Sequence, residues 1–401
     1  MADIFDKVNH FTEAKEDIEL GIYPYFRALS DSEGVTATFE GKEVVMLGSN
    51  NYLGLTTDSR VRQAAIEAIE RYGTSVTGSR FLNGTLELHL ELERRLATFI
   101  GKEAALVFST GYQTNLGTVS AMVGKEDFAI LDKDAHASTV DGMFMSRGQM
   151  KRFRHNDVND LERVLAKLPE DAGKLVIVDG VYSMGGDIAH LPEIILVAKK
   201  YQARVMVDDA HGIGVTGQAR GTSAHFCVTD DVDLIMGTFS KSFASIGGFI
   251  AGDKDIIHYI QHQARPLIFS AALPAPNAAA VLAALDIMEN EPEHIQRLWK
   301  NADYMRQGFQ KLGYNIGKSN TPIIPVIIGE KYRTGITWAA LIEEGVYTNP
   351  VVPPAAPPNQ SLLRTSYTAT QEQHHLDRAL KAFQIVGERL DLIPAQKPET
   401  I

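Results

Sequence analysis

A chain of 401 residues, 44% hydrophobic and 22% charged, has the make-up of an ordinary globular protein with room for two domains. Its 39 Lys and Arg against 50 Asp and Glu leave a net charge of -11, which excludes nucleic-acid binding driven by overall charge. The one cysteine, Cys227, excludes an internal disulfide and fits a reducing cytoplasm; residues 1–17 lack the basic start and apolar core of a signal peptide, and no apolar run reaches membrane-spanning length.

Residues 1–30 read as a helix and an extended entry, with Pro24 stopping the helix. Two short strands, 35–39 and 44–47, come next around Gly41. Ser49 to Leu55 is a turn rich in side-chain amides, Asn50 and Asn51 above all. Apolar residues at Val61, Ala65, Ala68, Ile69 and Tyr72 then share one helical stripe. The loop from Gly73 to Gly84, which carries Ser79, is too polar to bury unless it faces a ligand or a partner subunit. Residues 87–100 are helical again.

From there the chain settles into a rhythm. Apolar runs at 105–109, 128–132, 174–179, 204–208, 234–239 and 248–251 alternate with helical stretches near 112–123, 157–168 and 190–202. Near-continuous apolar strands between amphipathic helices imply an α/β protein with a mostly parallel sheet covered on both faces. Ligands of such sheets sit at the carboxyl ends of the strands. The stretches that fall there are Ser109 to Tyr112, Asp132 to His136, Asp179 to Ser183, Asp208 to His211 and Lys241. Two long helices, from about 277 to 291 and from 294 to 312, lead into a small α+β domain. It holds strands at 323–328, 346–350 and 362–367 and helices at 338–344 and 371–389, with a disordered tail expected from Pro394.

The chemistry concentrates in Gly237-Thr238-Phe239-Ser240-Lys241-Ser242, where a strand delivers one lysine among small hydroxylated residues. A desolvated lysine there can form a Schiff base, and the hydroxyls of Thr238, Ser240 and Ser242 can hold an anion such as a phosphate. Alone, Ser-Lys-Ser is a solvated turn. Its weight comes from Val205-Met206-Val207-Asp208-Asp209-Ala210-His211, a second strand ending in an acid and a histidine. Together the two motifs resemble the fold type I pyridoxal 5′-phosphate (PLP) enzymes in their α-oxoamine synthase branch, which condense an amino acid with an acyl-CoA and lose carbon dioxide. The likeness runs along nearly the whole chain. It implies a large PLP-binding domain over 61–293 with a mostly parallel, seven-stranded sheet flanked by helices, a small C-terminal α+β domain over 294–401, and an N-terminal helix and extended segment over 1–60.

The resemblance also implies a role for each of several single residues. Lys241 carries the Schiff base, Asp208 faces the ring nitrogen, His211 touches the ring oxygen and His136 stacks on the ring. Gly111 and Tyr112, at a strand-to-helix turn, join Thr238 and Ser240 around the phosphate. Ser183 lies near the ring oxygen, and Ser270 and Ala271 complete the phosphate cup from the other subunit of an obligate homodimer. Arg364, an expensive charge in an apolar strand, meets the substrate carboxylate, with Asn51, Tyr52 and Ser79 beside it. No metal is expected. The local spellings at 21–27, 152–156, 180–184 and 265–270 are most similar to members that use L-serine and a long-chain acyl-CoA. A product so apolar implies transient contact with the inner face of the membrane.

Sister chemistries stay open: glycine C-acetyltransferase, 5-aminolevulinate synthase and 8-amino-7-oxononanoate synthase need the same cofactor residues. Asp209 stands where the family usually writes Glu, and Ala244 where many members carry Gly. Gly212-Ile213-Gly214-Val215-Thr216-Gly217 also fits the nicotinamide-binding fingerprint, but the polar run after it is no helix, which that fingerprint requires. A non-catalytic scaffold on this fold would be expected to lack a lysine at 241.

Overall fold

The structure is a computed structural model and describes residues 3–32 and 34–394. The expected disordered tail thus falls, from Ala395 on, outside the described residues. The chain divides into two compact units, residues 50–299 and residues 1–49 with 300–401. The breaks expected at 60 and 293 therefore fall at 49 and 299, and the N-terminal segment groups with the C-terminal part instead of standing alone.

The larger unit is built on seven strands in the order Ala104–Phe108, Gly248–Gly252, Leu234–Thr238, Arg204–Asp208, Lys174–Asp179, Phe128–Asp132 and Gln149–Phe153. Six point the same way, and only Gly248–Gly252 runs against them, antiparallel to both of its neighbours. The central strands are buried along their whole length, Val176, Ile177, Val207 and Ile235 each at 0% exposure, because helices cover both faces. Each such side chain contributes roughly 1.5–3 kcal/mol by leaving water. The seventh strand, Gln149–Phe153, is one that apolarity does not reveal: it is an edge strand reading Gln-Met-Lys-Arg-Phe, and only Phe153 is fully buried.

A second unexpected element is the helix Ala137–Met145. It packs on the helix Gly111–Met122 at Gly142, where a Cβ would stand 2.9 Å from Val119 Cβ and 3.2 Å from Asn115 O. Only a glycine lets the two backbones come that close, and the small residues that allow it are the ones that blur an amphipathic pattern. The candidate dinucleotide glycines open no helix; Gly217 starts a three-residue 3-10 turn, which removes the nicotinamide reading.

In the other unit, Leu29–Ser32, Thr36–Phe39, Lys42–Met46 and Val346–Tyr347 form one sheet, and Ile323–Gly329, Ser361–Ser366 and Asn349–Val351 an antiparallel second one. The single strand expected over 346–350 is thus two, broken at Thr348 and paired into different sheets. The helix expected at 338–344 begins earlier and spans Lys331–Glu343, because Glu330 caps it by accepting the N–H groups of Tyr332 and Arg333. The N-terminal helix is likewise two short ones, Asp6–Asn9 and Glu13–Glu19.

Candidate active site

The carboxyl ends of the parallel strands surround a cavity of about 300 Å³ in the larger unit. Its floor is acidic. Asp179 and Asp208 end adjacent parallel strands in register, and both are buried at 4% exposure. They are served unequally: Asp208 accepts from the Ala210 N–H at 3.1 Å and from Asn115 Nδ2 at 2.7 Å, whereas Asp179 accepts from the His136 N–H at 3.2 Å. Burial first, and then the charge of Asp208, push the Asp179 carboxyl well above the usual carboxylate range.

One wall is the start of the helix Gly111–Met122, capped by Thr110, whose hydroxyl accepts from the Gln113 N–H at 3.0 Å. Opposite it, Thr238 Oγ1 lies 3.0 Å from Ser240 Oγ and donates to Gly247 O at 3.1 Å. A Cβ on Gly111 would meet Thr238 Oγ1 at 2.6 Å, so the helix N-terminus and these hydroxyls form a cradle that any larger residue would fill. N–H groups with the positive end of a helix dipole on one side and hydroxyls on the other suit a phosphate dianion.

Lys241, His136 and His211 line the same cavity. Lys241 is half-buried and close enough to Asp179 for its charge to favour the ionised carboxyl. His211 is held from behind by Tyr52, whose hydroxyl is 2.7 Å from His211 Nδ1. His136 caps the helix Ala137–Met145, its Nδ1 accepting the Ser138 N–H at 3.3 Å.

Of the residues expected from the sequence, Gly111, Tyr112, His136, Asp208, His211, Thr238, Ser240 and Lys241 all line the cavity. Tyr52 stands behind His211, which lines it. Ser183, Asn51, Ser79, Ser270 and Ala271 do not line it. Within its own chain Ser270 Oγ accepts from Gln113 Nε2 at 3.0 Å, and Asn51 Nδ2 donates to Thr56 Oγ1 at 2.7 Å. Arg364 belongs to the other unit, buried at 4% exposure in the strand Ser361–Ser366 between Pro325 and Asn349. The sequence reading missed Asn115, because an asparagine in mid-helix carries no signal of the carboxylate it faces.

An acid at the end of a buried strand, a lysine, two histidines and a phosphate cradle within one cavity are the donor set that a pyridine-ring phosphate cofactor requires. The aminotransferase class I and II model matches residues 42–383, and the chain belongs to that family. It is 46% identical over 377 residues to the serine palmitoyltransferase of Sphingobacterium spiritivorum, covering 94% of each chain. It is 41% identical to the 8-amino-7-oxononanoate synthase of Thermoanaerobacter pseudethanolicus, over 98% of this chain and all of that one. A solved structure of serine palmitoyltransferase with PLP as internal aldimine superimposes with a TM-score of 0.95 at 36% identity, over 98% of this chain and 100% of that one.

Proposed function

We infer that the chain is a PLP-dependent serine palmitoyltransferase, joining L-serine to palmitoyl-CoA to give 3-oxosphinganine, CoA and carbon dioxide. The observation that carries this reading is the cavity's donor set, found in a chain whose curated serine palmitoyltransferase relative is 46% identical over nearly its full length. Bound there, the cofactor supplies an electron sink for negative charge at the serine Cα.

The chain's own residues do the rest. Asp208 holds the ring nitrogen protonated, and His211, backed by Tyr52, hydrogen-bonds the ring oxygen with Ser183 nearby. Gly111, Tyr112, Thr238 and Ser240 hold the phosphate, and His136 covers the ring face. Lys241 would anchor the cofactor, and its free amine would take the Cα proton as general base. Arg364 offers the serine carboxylate a two-pronged partner, with Asn51 and Ser79 near the substrate. In the balance of bonds, serine Cα joins the acyl carbon as the thioester C–S bond breaks and CoA leaves; the Cα–carboxylate bond then breaks, carbon dioxide leaves, and a proton takes its place at Cα.

The working form is a homodimer in which Ser270 and Ala271 of one subunit complete the phosphate cup of the other. It resides in the cytoplasm and meets the inner membrane face transiently to release its product; among the described residues no helix is long and apolar enough to cross a membrane. Lys241→Ala tests the reading. The parent holds a visible absorption band that borohydride abolishes, and the variant lacks it; a variant that keeps the band places the anchoring amine elsewhere.

A further inference from the structure

The cavity floor contains a hydrogen-bond chain whose directions can be read from donor chemistry alone. A backbone N–H can only donate, so the 3.3 Å contact from the Ser138 N–H fixes His136 Nδ1 as an acceptor. The Ser138 hydroxyl is also 2.7 Å from that nitrogen, and its single proton must point there. Ser138 Oγ is then left to accept, and it does so from Asn115 Nδ2 at 2.8 Å. The other proton of the same Nδ2 goes to Asp208 Oδ2 at 2.7 Å. Turning the amide over would set Asn115 Oδ1 against the carboxylate with no proton between them. In the orientation found, Oδ1 is buried without a hydrogen-bond partner, the cost of aiming both protons at the site.

We propose that Asn115 and Ser138 are positioning residues: one amide clamps the Asp208 carboxylate and, through the Ser138 hydroxyl, holds His136 with Nδ1 as acceptor and the proton on Nε2. The acid beneath the ring and the histidine that covers it are thereby set by a single side chain. Gly142 makes this geometry attainable, since it lets the two helices approach until Asn115 and Ser138 meet. The proposal rests on the cofactor reading above, and its test separates the two.

Cofactor affinity is measured by fluorescence titration of the cofactor-free chain with PLP, for wild type, Asn115→Ala and Asn115→Asp, at several pH values. Asn115→Ala weakens binding roughly tenfold at every pH, as loss of one hydrogen bond to a charge does. Asn115→Asp keeps the volume but sets a second carboxyl against Asp208, with Asp179, His136 and Lys241 lining the same space. At pH 8 it binds more weakly than Asn115→Ala. Toward pH 5.5 its deficit relative to wild type shrinks, as the introduced acid takes a proton and donates in place of the amide. Ser138→Ala leaves cofactor affinity within about twofold, because the Asn115 to Asp208 bond remains, but raises the KM for serine, and Ser138→Thr restores it. An Asn115→Asp chain that binds like wild type at pH 8, or whose deficit is the same at all pH, overturns the proposal, as does a Ser138→Thr no better than Ser138→Ala. A wild-type chain that does not bind PLP overturns the functional reading and this proposal with it. Circular dichroism of each cofactor-free variant confirms that it folds; should Asn115→Ala not fold, the isosteric Asn115→Asp comparison decides alone.

Discussion

Asp209 takes both hydrogen-bond donors of Thr222, the amide at Oδ2 and the hydroxyl at Oδ1, each at 2.6 Å, with no exposure to solvent. The pair pins the loop after the Asp208 strand, and it does so from the position where the family usually writes Glu. Burial raises the Asp209 carboxyl to about 7, against the pull of the Thr222 bonds. A raised acid binds its proton more tightly folded than unfolded, so its contribution to stability falls as pH rises from the ordinary carboxylate range through about 7. Asp209→Asn keeps the shape, accepts the amide and donates to the hydroxyl. Its stability relative to wild type should therefore rise between pH 5 and pH 8, measured by denaturant midpoints. Parallel pH profiles for the two chains would contradict the buried acid.

His155 gives the same pH direction for the opposite reason, since here the fold favours the charged form. Its Nδ1 is 3.0 Å from Asp132 and its Nε2 3.0 Å from Asp187, with the Tyr182 ring edge-on at 4.4 Å. Burial alone would lower its pKa, but the two carboxylates outweigh that and raise it to about 10. The stabilisation is complete below the ordinary imidazole pKa of about 6.5 and fades as pH climbs through about 10. His155→Gln should cost roughly 2–3 kcal/mol at pH 6 and clearly less at pH 10, read from urea denaturation. An equal loss at both pH values would show that packing, and not charge, holds this cluster.

Ala244 closes the turn after the lysine, its N–H donating to Lys241 O at 2.9 Å, and it does so at φ 55. Its Cβ makes that left-handed conformation unfavourable by about 1 kcal/mol, which Gly avoids. Ala244→Gly should thus stabilise the folded chain by no more than about 0.5 kcal/mol, since the freer unfolded glycine takes back part of the gain. A lower melting temperature would mean that the alanine methyl packs where the backbone alone does not show it.

These sites differ in how far the sequence reveals them. Apolar runs locate the central strands because burial on both faces leaves no alternation to misread, and the strand-end residues Asp208, His211 and Lys241 come with them. The edge strand Gln149–Phe153 is hidden because solvent accepts its Lys and Arg. Asn115 is hidden for another reason. Its partners Ser138 and Asp208 are distant in sequence, and only the approach of two helices at Gly142 brings them together. Ala244 is visible as a departure from the family spelling, but its consequence needs the turn's φ.

The substrate role proposed for Arg364 separates substrate recognition from cofactor binding. Removing one partner of a partly dry arginine–carboxylate pair costs roughly 2–5 kcal/mol, much of it from stranding the other charge. Arg364→Ala should keep the visible cofactor band and raise the serine concentration needed for half-saturation by at least tenfold. Arg364→Lys should recover only part of the loss, because an ammonium cannot make the two-pronged contact. Normal serine binding with a lost response to acyl-CoA would assign the arginine to the thioester instead.

The central claim is the pairing of serine with a long acyl chain, and the residues in the cavity would serve any sister reaction equally. A steady-state matrix of serine, glycine and alanine against acetyl-, succinyl-, pimeloyl- and palmitoyl-CoA tests it most directly, reading CoA release. The account predicts the highest kcat/KM for serine with palmitoyl-CoA, with glycine and alanine poor partners for any thioester. A higher value for alanine with pimeloyl-CoA, or for glycine with acetyl-CoA, would contradict it and assign the chain to a sister synthase.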